Sequence, residues 1–259
     1  MTDPQISSRE ILAVLRTMDA RLNELTQVFQ KLFQQGQELM PQSFIPGPSR
    51  EKARDETAAY IKSVPDFRAK ALGGGYGNRL KLVRYVMEQV QGKPDEIAVE
   101  FGVCGGESLS VISRMFPGKV YGFDSFEGLP HDEGGWSKGQ FARDGMKLDY
   151  AVGPNTELVK GWFSDTLPKF VEQTDLAKIS FVHVDSDLYS SAKEIFDIML
   201  KKMPQEIIIL FDEYWNFEGW KDFEHKAFQE FIAQTGRTYE YLAYMDCGQQ
   251  VAVKLHAAK

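Results

Sequence analysis

Two short stretches carry more acid than a strand end ordinarily needs: His183-Val-Asp185-Ser-Asp187 and, further on, Asp212-Glu213. Each closes an apolar run, ISFVHV from 179 and EIIILF from 206, whose length and β-branched content fit buried strands. Side by side, such strands bring Asp185, Asp212 and Glu213 to one edge of a sheet. Hard oxygen ligands gathered there suit Mg²⁺ or a similar cation, which takes a few carboxylates and keeps positions open for water or substrate. The alternative is that some of these acids cap a helix at Leu188 or lie solvated. His183 lies two residues before Asp185 and shares its face of the strand. It is either a base or, the more ordinary role, a histidine hydrogen-bonded within the sheet.

A second cluster, Glu100-Phe-Gly102-Val-Cys104-Gly105-Gly106-Glu-Ser108, follows the apolar run EIAVEF. Glycines let a backbone pass close beneath a ligand, and Ser108 is placed to cap the next helix. Asp124 ends the following apolar run, 22 positions after Gly102, where a carboxylate can accept hydrogen bonds from both hydroxyls of a ribose. A nucleoside therefore fits. A dinucleotide fits poorly, because Cys104 stands where the Gly-x-Gly-x-x-Gly pattern needs glycine, and no phosphate-loop pattern occurs. The plain alternative is a tight strand-to-helix turn. Cys104 itself reads as a small filler, since no neighbouring histidine activates it.

Something must hold these loops at one end of a sheet. The apolar runs at 96, 119, 157, 179 and 206 alternate with helical stretches such as ESLSVISRMF and DLYSSAKEIFDIMLKKM. Strand and helix in alternation predict an α/β fold, a doubly wound, mostly parallel sheet in which ligands settle beyond the carboxyl ends of the strands, where strand order reverses. YEYLAYM and QQVAVKL around the turn DCGQ predict an antiparallel hairpin at the C-terminal edge. The segment GLPHDEGGWSKGQF, with His131, reads as either a closing lid or a surface loop, and Tyr214, Trp215, Phe217 and Trp220 as either an acceptor platform or core cover.

Ile11, Leu15, Met18, Leu22, Leu25, Phe29 and Leu32 alternate spacings of four and three, which places them on one seam. The expectation is an N-terminal helix at 1–40 that joins subunits as a coiled coil, making the chain a homo-oligomer. A Pro/Gly linker and helical cap at 41–92 then precede a main domain at 93–259. Two cysteines cannot form a disulfide framework, and no leader or long apolar span is evident, so the expected compartment is the cytoplasm. The net charge of -7 argues against nucleic acid and for a small-molecule partner.

The ordered set VEFGVCGGES, YGFDSFEGLP, KGWFSDTLP, VHVDSDLYSS and ILFDEYW resembles the macrocin O-methyltransferase family. These are class I S-adenosylmethionine (SAM) enzymes with a Rossmann-like sheet that methylate sugar hydroxyls on natural products. The likeness covers roughly residues 75–225, with GWFxDTLP and DxDLYxS its most specific parts. It implies that Glu100, Gly102 and Gly105 face the methionine part of SAM, Asp124 the ribose, and Ser164 and Asp165 the adenine, with Ser108, Ser125 and Asp185 completing the cofactor contacts. It also implies metal ligation by Asp185, Asp212 and Glu213, with Asp187 as base; His183 is the alternative base by its place on the strand. The family commonly has two aspartates where this chain has Asp212-Glu213. A metal-free methyltransferase, a non-catalytic SAM-binding module and a NAD- or nucleotide-sugar-dependent enzyme are the competing functions. Mere binding needs none of the four acids, and NAD would want the missing glycine fingerprint.

Overall fold

The computed structural model describes residues 48–74 and 78–258. The heptad helix, and the subunit contact expected from it, lie outside these residues.

Helix α1 (Pro48–Ser63) starts with proline at its first position, where a missing N–H costs nothing. A three-residue strand, β1 (Lys70–Leu72), and helix α2 (Arg79–Val90) follow. Then come β2 (Ile97–Phe101), α3 (Glu107–Met115), β3 (Lys119–Asp124), β4 (Thr156–Lys160), α4 (Phe163–Gln173), β5 (Ile179–Val184), α5 (Tyr189–Ile198) and β6 (Ile207–Phe211). Helix α6 (Glu224–Thr235) leads into β7 (Tyr239–Met245) and β8 (Val251–Leu255), the expected hairpin.

The eight strands lie in the order β1-β7-β8-β6-β5-β2-β3-β4. All neighbours pair in parallel except β8, which runs antiparallel to both β6 and β7. Strand order reverses between β2 and β5, so the loops after these two strands flank the crevice that such a sheet offers to ligands.

Both faces of the sheet are covered, and the strands alternate between them with a period of two. Val99, Phe101, Val182, Val184, Ile209 and Phe211 pack with α4, α5 and α6. Ala98, Phe181 and Leu210, one residue out of step, pack with α2 and α3. By the same alternation Glu100 and His183 project to the α2/α3 side, and the register places these two residues opposite each other. Tyr214, Trp215 and Trp220 are fully buried in the core with α6, so they cover it and offer no platform to a ligand.

Candidate active site

The glycine loop after β2 is held by its own backbone. Gly102 has φ 92°, and a Cβ there would lie 1.7 Å from the carbonyl oxygen of Asp185, so only glycine lets the β2 and β5 loops pass this closely. Cys104 also adopts a positive φ, 47°, and Gly106, at 83°, precedes α3 as its N-cap. Ser108 therefore does not cap α3 as expected; it lies within the helix. Its hydroxyl donates to Glu100 Oε1, which also receives Nδ1–H of His183 at 2.9 Å. Glu100, Ser108 and His183 are all buried. Burial is the strongest single influence on His183 and disfavours its charge, yet Glu100, with Asp185 and Asp212, outweighs it and raises the imidazole above its ordinary value.

Asp124 stands at the end of β3. Its Oδ2 accepts from the amides of Val103 at 2.8 Å and Cys104 at 2.7 Å, and its Oδ1 from Phe126 at 2.6 Å. The carboxylate thus fixes the glycine loop from below, and of its four or so lone-pair positions few stay open. Ser125 closes a turn: its hydroxyl donates to the Gly128 carbonyl at 3.1 Å and accepts from the Glu127 amide at 3.0 Å.

The acid loops after β5 and β6 are built differently. Carboxylate oxygens of Asp185, Asp212 and Glu213 lie within 4.8 Å of one another. Asp212 Oδ1 and Glu213 Oε2 are buried without a hydrogen-bond partner of ordinary geometry, although the Glu213 and Gln250 side chains lie close enough to favour the charged form of Asp212. Burial, reinforced by Asp212, pushes Asp185 up to about 7 against the pull of Arg79. Burial first, and then the neighbouring carboxylates, carry Asp187 and Glu213 well above the ordinary carboxylate range. Asp212 is the exception: burial, its largest influence, acts upward, but Arg79 and His183 hold it below the usual value. Asp187 takes a left-handed φ of 60°, a strained position that small polar residues tolerate best.

These acids are not spent on capping α5. That helix begins after Leu188 with no side-chain cap, and the Tyr189 amide instead donates to Glu133 Oε1 at 2.6 Å. Glu133 and His131, which lies 3.1 Å from the Ser190 hydroxyl, tie the loop after β3 to the first turn of α5. Further along that loop, the amides of Asp149 and Tyr150 reach the Gly105 carbonyl at 2.9 and 3.2 Å, so its second half rests on the glycine loop.

Two residues of the site had not been expected. Arg79 opens α2, where the helix dipole disfavours a cation, and its position is explained by what it touches. Its Nη1 donates to Asp185 at 2.9 Å and Asp212 at 3.2 Å, and its Nε to Glu107 at 3.3 Å. Asp212 and then Asp185 raise its pKa further. Glu224, fully buried in the first turn of α6, accepts from the amides of Ser186 at 3.3 Å and Glu213 at 3.1 Å. It ties the two acid loops together. A basic residue in a helix's first turn was the only sequence signal for Arg79; Glu224 looked like an ordinary first-turn acid.

Residues 99–214 match a family described as a methyltransferase domain. This stretch carries a methyltransferase domain. Among solved structures, the chain is similar to CalS11, a calicheamicin methyltransferase, with a TM-score of 0.56 at 16% identity over 82% of this chain and 95% of that one. It is also similar to the O-methyltransferase NovP, with a TM-score of 0.53 at 21% identity over 70% and 80% of the two chains. At these identities the likeness establishes the fold, a Rossmann-like methyltransferase sheet. No curated protein sequence matches the chain.

The methyltransferase domain holds Glu100, Asp124, Asp185, Asp187, Asp212 and Glu213, whereas Arg79 and Glu224 fall outside the matched residues. Ser164 and Asp165 of the domain sit exposed in the first turn of α4, beyond the outer strand β4. They are brought to the same end of the sheet as Asp124 by the Gly161 amide, which donates to the Asp124 carbonyl at 3.0 Å.

Proposed function

We propose that the chain is a SAM-dependent O-methyltransferase that alkylates a hydroxyl of a sugar or glycosylated small molecule, with a divalent cation held by Asp185, Asp212 and Glu213. The observation that carries this reading is the meeting, at the strand-order reversal, of a glycine loop seated on Asp124 with three carboxylates, two of which, Asp212 and Glu213, each bury an oxygen without a partner. The donor set of hard oxygens fits a dication, and the two orphaned atoms are what such an ion would satisfy. The CalS11 enzyme is described as a TDP-rhamnose 3'-O-methyltransferase, which supports a sugar as acceptor.

In this reading Glu100, Gly102, Gly105, Ser108 and Asp124 shape the cofactor side, with Ser125, Ser164 and Asp165 toward the nucleoside. SAM would supply a methyl group on a positively charged sulfur, and the cation would lower the pKa of the acceptor hydroxyl. The chain's part would be to bind the acceptor and orient its hydroxyl toward that methyl group. Transfer would place the methyl on that oxygen and leave the C–S electron pair on sulfur, and Asp187 would take the hydroxyl proton. A carboxylate held above its ordinary pKa is a stronger base than a free one, which suits that task. His183 is enclosed in the sheet and serves by orienting Glu100.

One observation favours a second reading: Arg79 already places a positive charge between Asp185 and Asp212, as a metal-free transferase would require. Release of S-adenosylhomocysteine from SAM with a panel of sugar nucleotides and glycosides, with and without EDTA, tests both. Turnover that vanishes in EDTA and returns with Mg²⁺ supports the metal-assisted enzyme. Full turnover in EDTA selects the metal-free one, and no binding of S-adenosylhomocysteine by calorimetry would overturn the proposed activity altogether.

A further inference from the structure

Arg79 and the proposed cation need the same oxygens. We propose that Arg79 is the resident counter-ion of the acid cluster in the metal-free protein, and that a divalent cation binds by displacing its guanidinium from Asp185 and Asp212. This inference rests on the metal-assisted reading above.

The argument is geometric. Nη1 lies 2.9 Å from Asp185 Oδ2 and 3.2 Å from Asp212 Oδ2, so one nitrogen bridges two of the three candidate ligands. A cation coordinates carboxylate oxygen at roughly 2.0–2.6 Å. Placed on the same two oxygens, it would meet the guanidinium within about 4 Å, where two positive charges repel strongly in a poorly solvated site. Arginine cannot relieve that repulsion by losing its proton, because its pKa is too high; it has to move.

The structure gives it somewhere to go. The Arg79 side chain keeps 30% of its surface exposed, unlike that of Asp212 at 7%, so an outward swing needs no rearrangement of the core. Its Nε already donates to Glu107, whose side chain is 36% exposed in the first turn of α3. Glu107 can keep the guanidinium after it leaves the other two carboxylates. The exchange is also sound in charge: a single guanidinium offsets one of the two carboxylates it bridges, whereas a dication offsets both. The orphaned Asp212 Oδ1 and Glu213 Oε2 show what Arg79 leaves unsatisfied, since its contacts end at Asp185, Asp212 and Glu107.

Calorimetric titration of the full chain with Mn²⁺, in the absence of SAM, tests the proposal. Arg79→Gln should bind Mn²⁺ at least about tenfold more tightly than the unmodified protein, because no resident charge has to be expelled, and Arg79→Lys, which keeps a charge but cannot bridge as a planar fork, should fall between them. Thermal unfolding gives a second readout: Arg79→Gln should melt lower than the unmodified protein in EDTA and gain more from Mn²⁺. If Arg79→Gln folds only when Mn²⁺ is present, the proposal stands. Equal or weaker Mn²⁺ binding by Arg79→Gln overturns the displacement while leaving the metal site intact. Absence of Mn²⁺ binding in every form removes both the displacement and the metal-assisted reading.

Discussion

The two halves of the site obey opposite rules. On the glycine-loop side the backbone is tied down: Asp124 accepts three backbone amides, the Gly105 carbonyl two, and Gly102 lies against the Asp185 carbonyl with no room for a Cβ. On the acid side, carboxylates crowd together with buried oxygens unpartnered, balanced by one arginine borrowed from α2. The first is a loop already closed by its own hydrogen bonds. The second holds crowded carboxylates whose repulsion is relieved by bound protons or by an added positive charge, as their raised pKa values show.

The sharpest way to break the glycine loop is Gly102→Ala. The new methyl would overlap backbone, at a positive φ, so a loss of about 4 kcal/mol or more is expected, read as a collapsed urea midpoint or as insoluble protein. Gly105→Ala is the control: its Cβ would meet only the end of the exposed Asp149 side chain, 2.8 Å away, and should cost less than about 1 kcal/mol. Equal stability of the two variants would show that the loop is looser than its geometry implies.

Next in size, Asp187→Asn should reduce turnover by roughly 10²–10⁴-fold while leaving S-adenosylhomocysteine affinity unchanged. A parallel loss of affinity would mean that the two halves are not separable. On the cofactor side, Asp124→Ala should weaken S-adenosylhomocysteine binding more than tenfold, roughly 1.5–3 kcal/mol, and calorimetry reporting unchanged affinity would remove the nucleoside from that strand end. The same variant should also be less stable, because three loop amides lose their acceptor.

The smallest effect concerns the floor beneath the acid loops. His225 is packed among Tyr60, Tyr214 and Trp220, and burial, aided by Lys221, depresses its pKa to about 4. A folded-state pKa below the unfolded one contributes stability at pH values above the unfolded pKa, and that contribution is lost as pH falls from about 6.5 through 4. Relative to His225→Phe, the unmodified protein should lose roughly 1–2 kcal/mol between pH 7.5 and 5, measured by urea unfolding at each pH. Identical pH profiles would show that the imidazole charges without leaving its pocket.

Much of this was legible beforehand, for definite reasons. The strand at 179–184 and the helix at 79–90 show in the sequence because each carries a clear pattern, one apolar but for Ser180 and His183 and the other amphipathic. The convergence of Asp185 with Asp212 and Glu213 was readable because it depends only on two strands being neighbours. Lys70–Leu72 was missed, being a three-residue strand with no periodicity to detect. Ser108 was misplaced by two positions, because Gly106 takes the cap in a left-handed conformation and frees the serine to reach Glu100. Arg79 was invisible as a site residue, since its partners lie in the loops after β5 and β6 and on α3, and no local pattern encodes a contact across the sheet end.

That short strand β1 bears on the order in which the protein can be made. It pairs with β7, Lys70 lying opposite Ala243, and α1 beside it is tied in by Tyr60 to Tyr241 at 2.8 Å and by Thr57 to the Asn216 amide at 3.1 Å. A ribosome releases β1 among the first strands of the sheet, yet its partner is among the last to emerge. Until then the growing sheet can close only as far as β6, whose outer edge stays unpaired and open to other chains. The β7–β8 hairpin therefore completes this sheet after its other strands are made, and the sequence distance between β1 and β7 should make that step slow.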